Sequence, residues 1–152
     1  MNECEVEVKI KKLYPDAQIP TRGSAAAAGW DLYAYLPDKS SIVISPHTTV
    51  KIETGIAMAI QNGYEGEIRP RSGIATKRAL APINAPGTVD ADYRGPVIVA
   101  LHNYSEVIQT VDHSERIAQI LFNKVPTAAL TLVYELDDTD RGEGGFGSTG
   151  TK

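Results

Sequence analysis

Two acidic residues stand two apart in the run Gly87-Thr88-Val89-Asp90-Ala91-Asp92-Tyr93-Arg94-Gly95. In extended chain such residues point the same way. A carboxylate there can act as general base on a water molecule, although an aspartate in so Gly-rich a segment is also an ordinary turn residue. Tyr93 adds a flat aromatic face beside it. Upstream, Arg69-Pro70-Arg71-Ser72-Gly73 precedes the best helical run of the chain. Arg71 brings charge, Ser72 a hydroxyl, and Gly73 lets backbone come close to a ligand; a helix N-terminus presents free N–H groups to an anion. The plain alternative is a capped surface helix with an incidental arginine. Gln119 lies inside the apolar stretch Ile117 to Phe122, and Asp31 sits among apolar neighbours in Ala28-Gly29-Trp30-Asp31-Leu32. A buried amide or carboxylate at either position needs a partner.

The last chemical candidate is the C-terminal run Arg141-Gly142-Glu143-Gly144-Gly145-Phe146-Gly147-Ser148-Thr149-Gly150, half of it glycine. Gly142 to Gly147 match the dinucleotide fingerprint in form, but that motif opens a helix and none is signalled after it. A phosphate-binding loop of the Walker type fails as well, because no lysine follows Gly147. Glycine-rich backbone can still curl its N–H groups around an anion, with Arg141, Ser148 and Thr149 as further donors. Phe146 has no local core to join, and stacking on a nucleobase would give it a role. Read alone, the segment also fits a loose, solvated end.

These residues have to be placed by β-structure. Short apolar runs alternate with turn residues: Ile42 to Ile44, Thr49 to Ile52 ending near Gly55, Ile56 to Ile60 ending at the hairpin signal Gln61-Asn62-Gly63, Tyr64 to Arg69, Val97 to Asn103, Val107 to Val111, Ile117 to Phe122 and Leu130 to Leu136. Many short strands so spaced predict a sandwich or barrel. One short helix is expected from Ser72 to Leu80, with Ser72 as its cap and Ile74, Ala75 and Ala79 turned inward. From Asp137 the composition changes, so the expected organisation is a single domain over residues 1–136 followed by a mobile arm, residues 137–152.

Composition excludes several classes. The chain has 152 residues, 42% hydrophobic and 22% charged, with a formal net charge of −4. That is a globular make-up, neither disordered nor fibrous. No apolar run approaches the ~20 residues needed to span a bilayer, and the acidic start Met1-Asn2-Glu3-Cys4-Glu5 is no signal peptide. The acidic balance argues against generic nucleic-acid binding, so any anionic ligand must be met by local cations: Arg71, Arg94, Arg116 or Arg141. One cysteine, Cys4, fits a reducing, cytoplasmic setting. His47, His102 and His113 lack metal-ligand spacing. No Ser-His-Asp or Cys-His arrangement is evident.

Five of these segments, in this order, resemble the trimeric dUTPase family: Ala28-Gly29-Trp30-Asp31-Leu32, Arg71-Ser72-Gly73-Ile74-Ala75, Gly87 to Gly95, Glu115-Arg116-Ile117-Ala118-Gln119, and Arg141 to Gly150. Each is weak singly, while five in order over residues 28–150 are specific. Trp30 and Thr88 stand where the family often has other apolar residues, and neither removes a needed chemical group. The resemblance implies an all-β fold, a distorted jelly-roll β-barrel with one short helix and a flexible Gly-rich C-terminal tail. It further implies a homotrimer whose three sites lie at subunit interfaces, each closed by the tail of another chain. The implied reaction is hydrolysis of dUTP to dUMP and pyrophosphate, supplying dUMP for dTMP synthesis and keeping uracil out of DNA. Mg2+ would be the cofactor, chelated by the triphosphate with no direct protein ligand. No membrane or nucleic-acid partner is implied.

Carried over by matching position, the resemblance makes Asp90 the general base. Tyr93 lies against the sugar and excludes a 2′-hydroxyl. Asn84 and the backbone at Gly87, Thr88, Val89 and Ile98 read the uracil edge. Arg71, Ser72, Gly73 and Gln119 hold the phosphates around the scissile bond. Arg141, Gly147, Ser148 and Thr149 clamp the far phosphates, while Phe146 caps the base. Asp31 supports the catalytic set, through water near the metal. Two other readings share the segments: a dCTP deaminase of the same fold, and a non-catalytic nucleotide-binding trimer. Gly73 and the Gly87 to Gly95 run favour the hydrolase over the first, and the intact Asp90, Tyr93 and tail favour it over the second.

Overall fold

Alternation of apolar and polar residues fixes which face of each strand turns inward. In β8 (Pro96–Asn103), Val97, Val99, Leu101 and Asn103 are buried while Pro96 and Ile98 face out, the period-2 pattern of a strand with one covered face. The structure, a computed structural model, describes residues 5–151; Cys4 lies outside them. Among the described residues the order is β1 (Val8–Lys12), β2 (Trp30–Tyr33), β3 (Ser41–Ile44), β4 (Thr49–Ile60), β5 (Tyr64–Arg69), α1 (Ser72–Arg78), β6 (Leu80–Pro82), β7 (Gly87–Val89), β8, β9 (Gln109–Asp112) and β10 (Arg116–Lys124). One sheet runs β1-β4-β8-β6, a second β2-β10-β5-β7, and β3 pairs with β9 in a two-stranded ribbon. Every pairing is antiparallel.

The sheets enclose an apolar core that includes Leu32, Ile44, Ile52, Ile56, Leu80, Leu101, Ile117 and Ile120, each at most 1% exposed. The two buried polar side chains among the described residues are satisfied, as burial requires. Thr54 Oγ1 donates to the Val97 carbonyl, and Asn103 Nδ2 donates to the carbonyls of Ile44 and Val107. Neither sheet closes into a full barrel, and the expected jelly roll is present in distorted form. No helix among the described residues is long and apolar enough to cross a membrane.

Four local expectations need correction. The break predicted near Gly55 is a bulge inside one twelve-residue strand, β4. Gly55 has φ +73° and the register against β8 shifts between Glu53 and Ala57; a β-carbon there would meet Ala17 Cβ at 2.9 Å. Asn62-Gly63 does turn, with the Tyr64 N–H donating to the Gln61 carbonyl at 3.2 Å. The strands it joins do not pair, however: β4 belongs to one sheet and β5 to the other. The turn carries the chain across the sandwich, since the neighbours of β4 are β1 and β8. Ser72 is the first residue of α1 and not its cap; Arg71 holds the cap position without a side-chain cap bond, and α1 buries no residue fully. Finally, Leu130 to Leu136 form no strand. Leu130, Leu132 and Tyr134 are fully solvent-facing, and every residue from 124 to 143 is exposed. The segment has β-type alternation but pairs with no strand among the described residues.

Candidate functional site

The first cleft forms where β2, β10 and the start of α1 meet. It has a volume near 310 Å³ and is lined by Asp31, Arg71, Ser72, Gly73 and Gln119, with Gly23 and Ala27 to Gly29. Gln119 of β10 sits opposite Asp31 of β2 on one side and Arg69 of β5 on the other. That register delivers Arg71, two residues past β5, to the Asp31 carboxylate. Arg71 Nε donates to Asp31 Oδ1 at 2.9 Å, and Arg116 Nη1 lies 3.5 Å from Oδ2. Asp31 is therefore the paired carboxylate its neighbours required, with its side chain 14% exposed. Two guanidinium groups against one carboxylate leave a local surplus of positive charge. The N–H groups of Ser72 and Gly73 add to it, since α1 makes its first helical bond only from the Ala75 N–H to the Arg71 carbonyl. No acidic residue stands in that first turn. The cleft is built to receive an anion.

Gln119 is half-buried, and its Nε2 donates to the Pro70 carbonyl at 2.9 Å. Its position depends on a residue that sequence reasoning passed over. A β-carbon on Gly29 would lie 3.0 Å from Gln119 Cδ and closer still to Oε1, so Gly29 leaves the space the amide occupies. Two further residues belong to this neighbourhood. Arg116 shares Asp31. Arg78, in the last turn of α1, pairs with Glu115 and donates to the Thr110 carbonyl, tying α1 to the β9–β10 turn. The charge of Arg116 was visible in the sequence, while Gly29 and Arg78 gave a signal only once their neighbours were known.

The second cleft, near 230 Å³, brings together Asn84, Gly87, Thr88, Val89, Asp90, Tyr93 and Ile98 with Ile68, Pro82, Pro96, Val97 and Val99. Its walls are backbone. β7 is the last strand of its sheet, and Pro96 to Val99 of β8 pair only with β4, since β6 reaches β8 from Leu101 to Asn103. Each wall so keeps open backbone, along β7 and at Ile98 of β8, able to read the edge of a planar base. Asn84 packs against the start of β7, its Nδ2 3.1 Å from where a Gly87 β-carbon would stand. Asp90 is exposed and follows β7 directly. The chain then turns, with the Tyr93 N–H donating to the Asp90 carbonyl at 3.1 Å, so Asp90 and Asp92 do not share the extended geometry that would align them. Tyr93 Oη donates to the Pro96 carbonyl at 3.0 Å.

The two clefts do not merge. Gly87 pairs with Ile68 and Val89 with Gly66, so Asp90 lies level with Glu65, while Arg71 lies beyond Arg69. Four residues of strand separate those levels, about 13 Å. The predicted tail residues Arg141, Phe146, Gly147, Ser148 and Thr149 line neither cleft. They lie in tight turns of their own: the Gly144 N–H donates to the Arg141 carbonyl and the Ser148 N–H to that of Gly145. Phe146 is fully exposed. Among the described residues no three His, Cys, Asp or Glu side chains form a metal-binding group.

The chain is similar to known proteins over most of its length. A family model described as dUTPase matches residues 15–150. The deoxyuridine 5′-triphosphate nucleotidohydrolase of Syntrophotalea carbinolica is 46% identical over 145 residues, which span 95% of this chain and 97% of that protein. That of Caulobacter vibrioides is 47% identical over 135 residues, 89% of this chain and 87% of its own. Among solved structures, the Staphylococcus bacteriophage 80alpha dUTPase with dUpNHpp superposes with a TM-score of 0.84 at 26% identity, over 95% of this chain and 99% of the phage chain. With residues 15–150 matched and relatives aligned over nearly their full length, this chain belongs to the dUTPase family.

Proposed function

We propose that this chain hydrolyses dUTP to dUMP and pyrophosphate as a homotrimer, each site being assembled from more than one copy. The observation that carries the reading is the separation just described: a base-reading cleft ending in Asp90, an anion-receiving cleft around Arg71 and Gln119, and a donor-rich tail that reaches neither. One chain holds all the parts and cannot bring them to one phosphorus. Three copies related by rotation bring the Asp90 edge of one to the Arg71 cleft of the next, with residues 137–152 of a third as the closing arm beyond a body of residues 1–136.

In such a site the uracil edge meets the free backbone edges of Gly87 to Val89 and of Ile98, with Asn84 beside them. Cytosine presents the wrong donors and acceptors, and the thymine methyl has no room. Asp90 accepts a proton from water as the water oxygen forms a bond to the α-phosphorus. The bond from that phosphorus to the α–β bridging oxygen breaks, and the leaving pyrophosphate carries the charge away. Arg71, Gln119 and the N–H groups of Ser72 and Gly73 stabilise that charge as it develops. Arg141, Gly147, Ser148 and Thr149 hold the outer phosphates, and Phe146 stacks on the base.

Mg2+, a hard cation bound through oxygens, would neutralise the triphosphate. The one carboxylate in the anion cleft, Asp31, is already committed to Arg71 and Arg116, which fits a metal held by phosphate oxygens and water with Asp31 outside them. The dUMP formed would feed dTMP synthesis, and removal of dUTP would keep uracil out of DNA in a reducing, cytoplasmic setting. The test is pyrophosphate release from dUTP, UTP, dCTP and dTTP, with and without Mg2+. Release from dUTP alone, dependent on Mg2+, is the expected result. Ammonia from dCTP, or binding of dUTP without turnover, would overturn it.

A further inference from the structure

Tyr93 does not reach freely into the base-reading cleft. Its ring lies back over the next residue but one, tied at one end by its own backbone and at the other by the bond from Oη to the Pro96 carbonyl, 3.0 Å. Beneath the ring is Gly95. A β-carbon on Gly95 would stand 2.6 Å from Tyr93 Cζ and 2.9 Å from Cε1, and closer again to Oη. Non-bonded carbons meet at about 3.5–4.0 Å, so ring and β-carbon cannot coexist as placed.

The backbone does not ask for glycine here. Gly95 is absent from the positive-φ positions, and it precedes Pro96, which favours the extended conformation that any L-residue adopts. What glycine supplies is the space under the ring. The obstructed atoms are the far end of a side chain that is 44% exposed, so the ring can leave without unfolding anything.

We propose that Gly95 is a specificity-determining positioning residue: its bare Cα is the seat that holds the Tyr93 ring where the sugar lies, and it thereby sets the discrimination between deoxyribose and ribose. This rests on the reading of Tyr93 as the sugar-facing residue. Rejecting a substrate that merely adds a hydroxyl by shape alone is worth about 100-fold, and it requires a wall that does not yield. Here the wall is a ring fixed at both ends, and one methyl group placed under it breaks the fixing.

The test is the ratio of kcat/KM for dUTP to that for UTP, measured by pyrophosphate release from the full-length protein. Gly95→Ala should lower the ratio about tenfold or more while the thermal midpoint stays near that of the wild type. Tyr93→Ala should lower it at least as far. Tyr93→Phe, which keeps the ring over Gly95 and loses only the bond to the Pro96 carbonyl, should fall between the wild type and Tyr93→Ala. Adding Gly95→Ala to Tyr93→Ala should lower the ratio no further, because the two act through one ring. An unchanged ratio in Gly95→Ala, or an equal loss with and without the Tyr93 ring, overturns the inference and leaves the role of Tyr93 standing. An unchanged ratio in Tyr93→Ala overturns both.

Discussion

Asp31 holds Arg71 by the same charge that a phosphate would use. The 2.9 Å bond from Arg71 Nε to Asp31, with Nη1 3.5 Å from the Arg116 carbonyl, fixes the guanidinium at the cleft it lines, a positioning that shortens the reorganisation needed when substrate arrives. Asp90 is the opposite case, an exposed carboxylate with no cation paired to it among the described residues and so available to a water. Asp90→Asn should bind a non-hydrolysable dUTP analogue as the wild type does, keep its thermal midpoint, and lose turnover by ~10²–10⁴-fold. Calorimetric titration with single-turnover kinetics separates the two effects, and undiminished turnover would remove Asp90 from the role of base. Arg71, Gln119 and Asp90 were legible as residue types in suggestive company. Gly29 was not, because the space a glycine leaves belongs to the neighbour that fills it, and Gln119 lies ninety positions further along the chain.

Elements impose a second set of requirements. α1 buries no residue fully, so its hold on the body rests substantially on Arg78, whose side chain, less than a third exposed, meets Glu115 and the Thr110 carbonyl. Arg78→Ala should cost about 1–3 kcal/mol in urea unfolding and should raise KM more than it changes uracil selectivity, since α1 carries Ser72 and Gly73. Equal stability and KM would deny α1 that tether.

Four residues past β1, Asp16 is bonded by Lys39 and the Tyr35 hydroxyl, which hold its carboxyl at about 2 against an ordinary 3.8. A lowered carboxylate value favours folding wherever the unfolded chain would bind the proton more readily. The contribution is whole above pH about 4 and disappears as pH falls through about 2. The stability gap between wild type and Asp16→Asn should therefore close over that window, as acid titration at fixed ionic strength would report; a gap unchanged by acid would contradict it.

Strand alternation made most elements readable, and β5 has the bounds its sequence suggested. Partnership was not readable from the same signal. Asn62-Gly63 looks the same whether its two strands pair or part, and the apolar surfaces they must cover decide which.

For the whole molecule, the proposed site takes its parts from more than one copy, because the register of β7 on β5 sets Asp90 and Arg71 apart. Mixing is a direct test. Chains carrying Asp90→Asn and chains carrying Arg71→Ala are each expected to be inactive alone. Unfolded and refolded together, they should recover a measurable fraction of wild-type activity, because some mixed sites take an intact Asp90 from one copy and an intact Arg71 from another. No recovery in verified mixed assemblies would place both residues of a site in one chain. Removing residues 137–152 should leave a folded assembly of unchanged mass class with little activity, measured by light scattering and pyrophosphate release; normal turnover would deny the arm its part. The five segments were legible as a set, and their sharing among copies came only from the resemblance, because sequence order carries no record of which chain a neighbour comes from.

Residues 124–143 have a consequence before any substrate is met. Leu130, Leu132, Tyr134 and Leu136 stand apolar at alternate positions on backbone that pairs with nothing in its own chain. That is the pattern by which a segment adds itself to any open sheet edge. On the proposed assembly, a newly made copy is in a race between meeting its own kind and being captured by something else. Dilution, slow synthesis or a destabilised body lengthens the interval in which the wrong encounter wins. The yield of native protein should thus depend on how closely in space and time the copies are produced, a demand on the cell's manufacture of the chain as well as on its sequence.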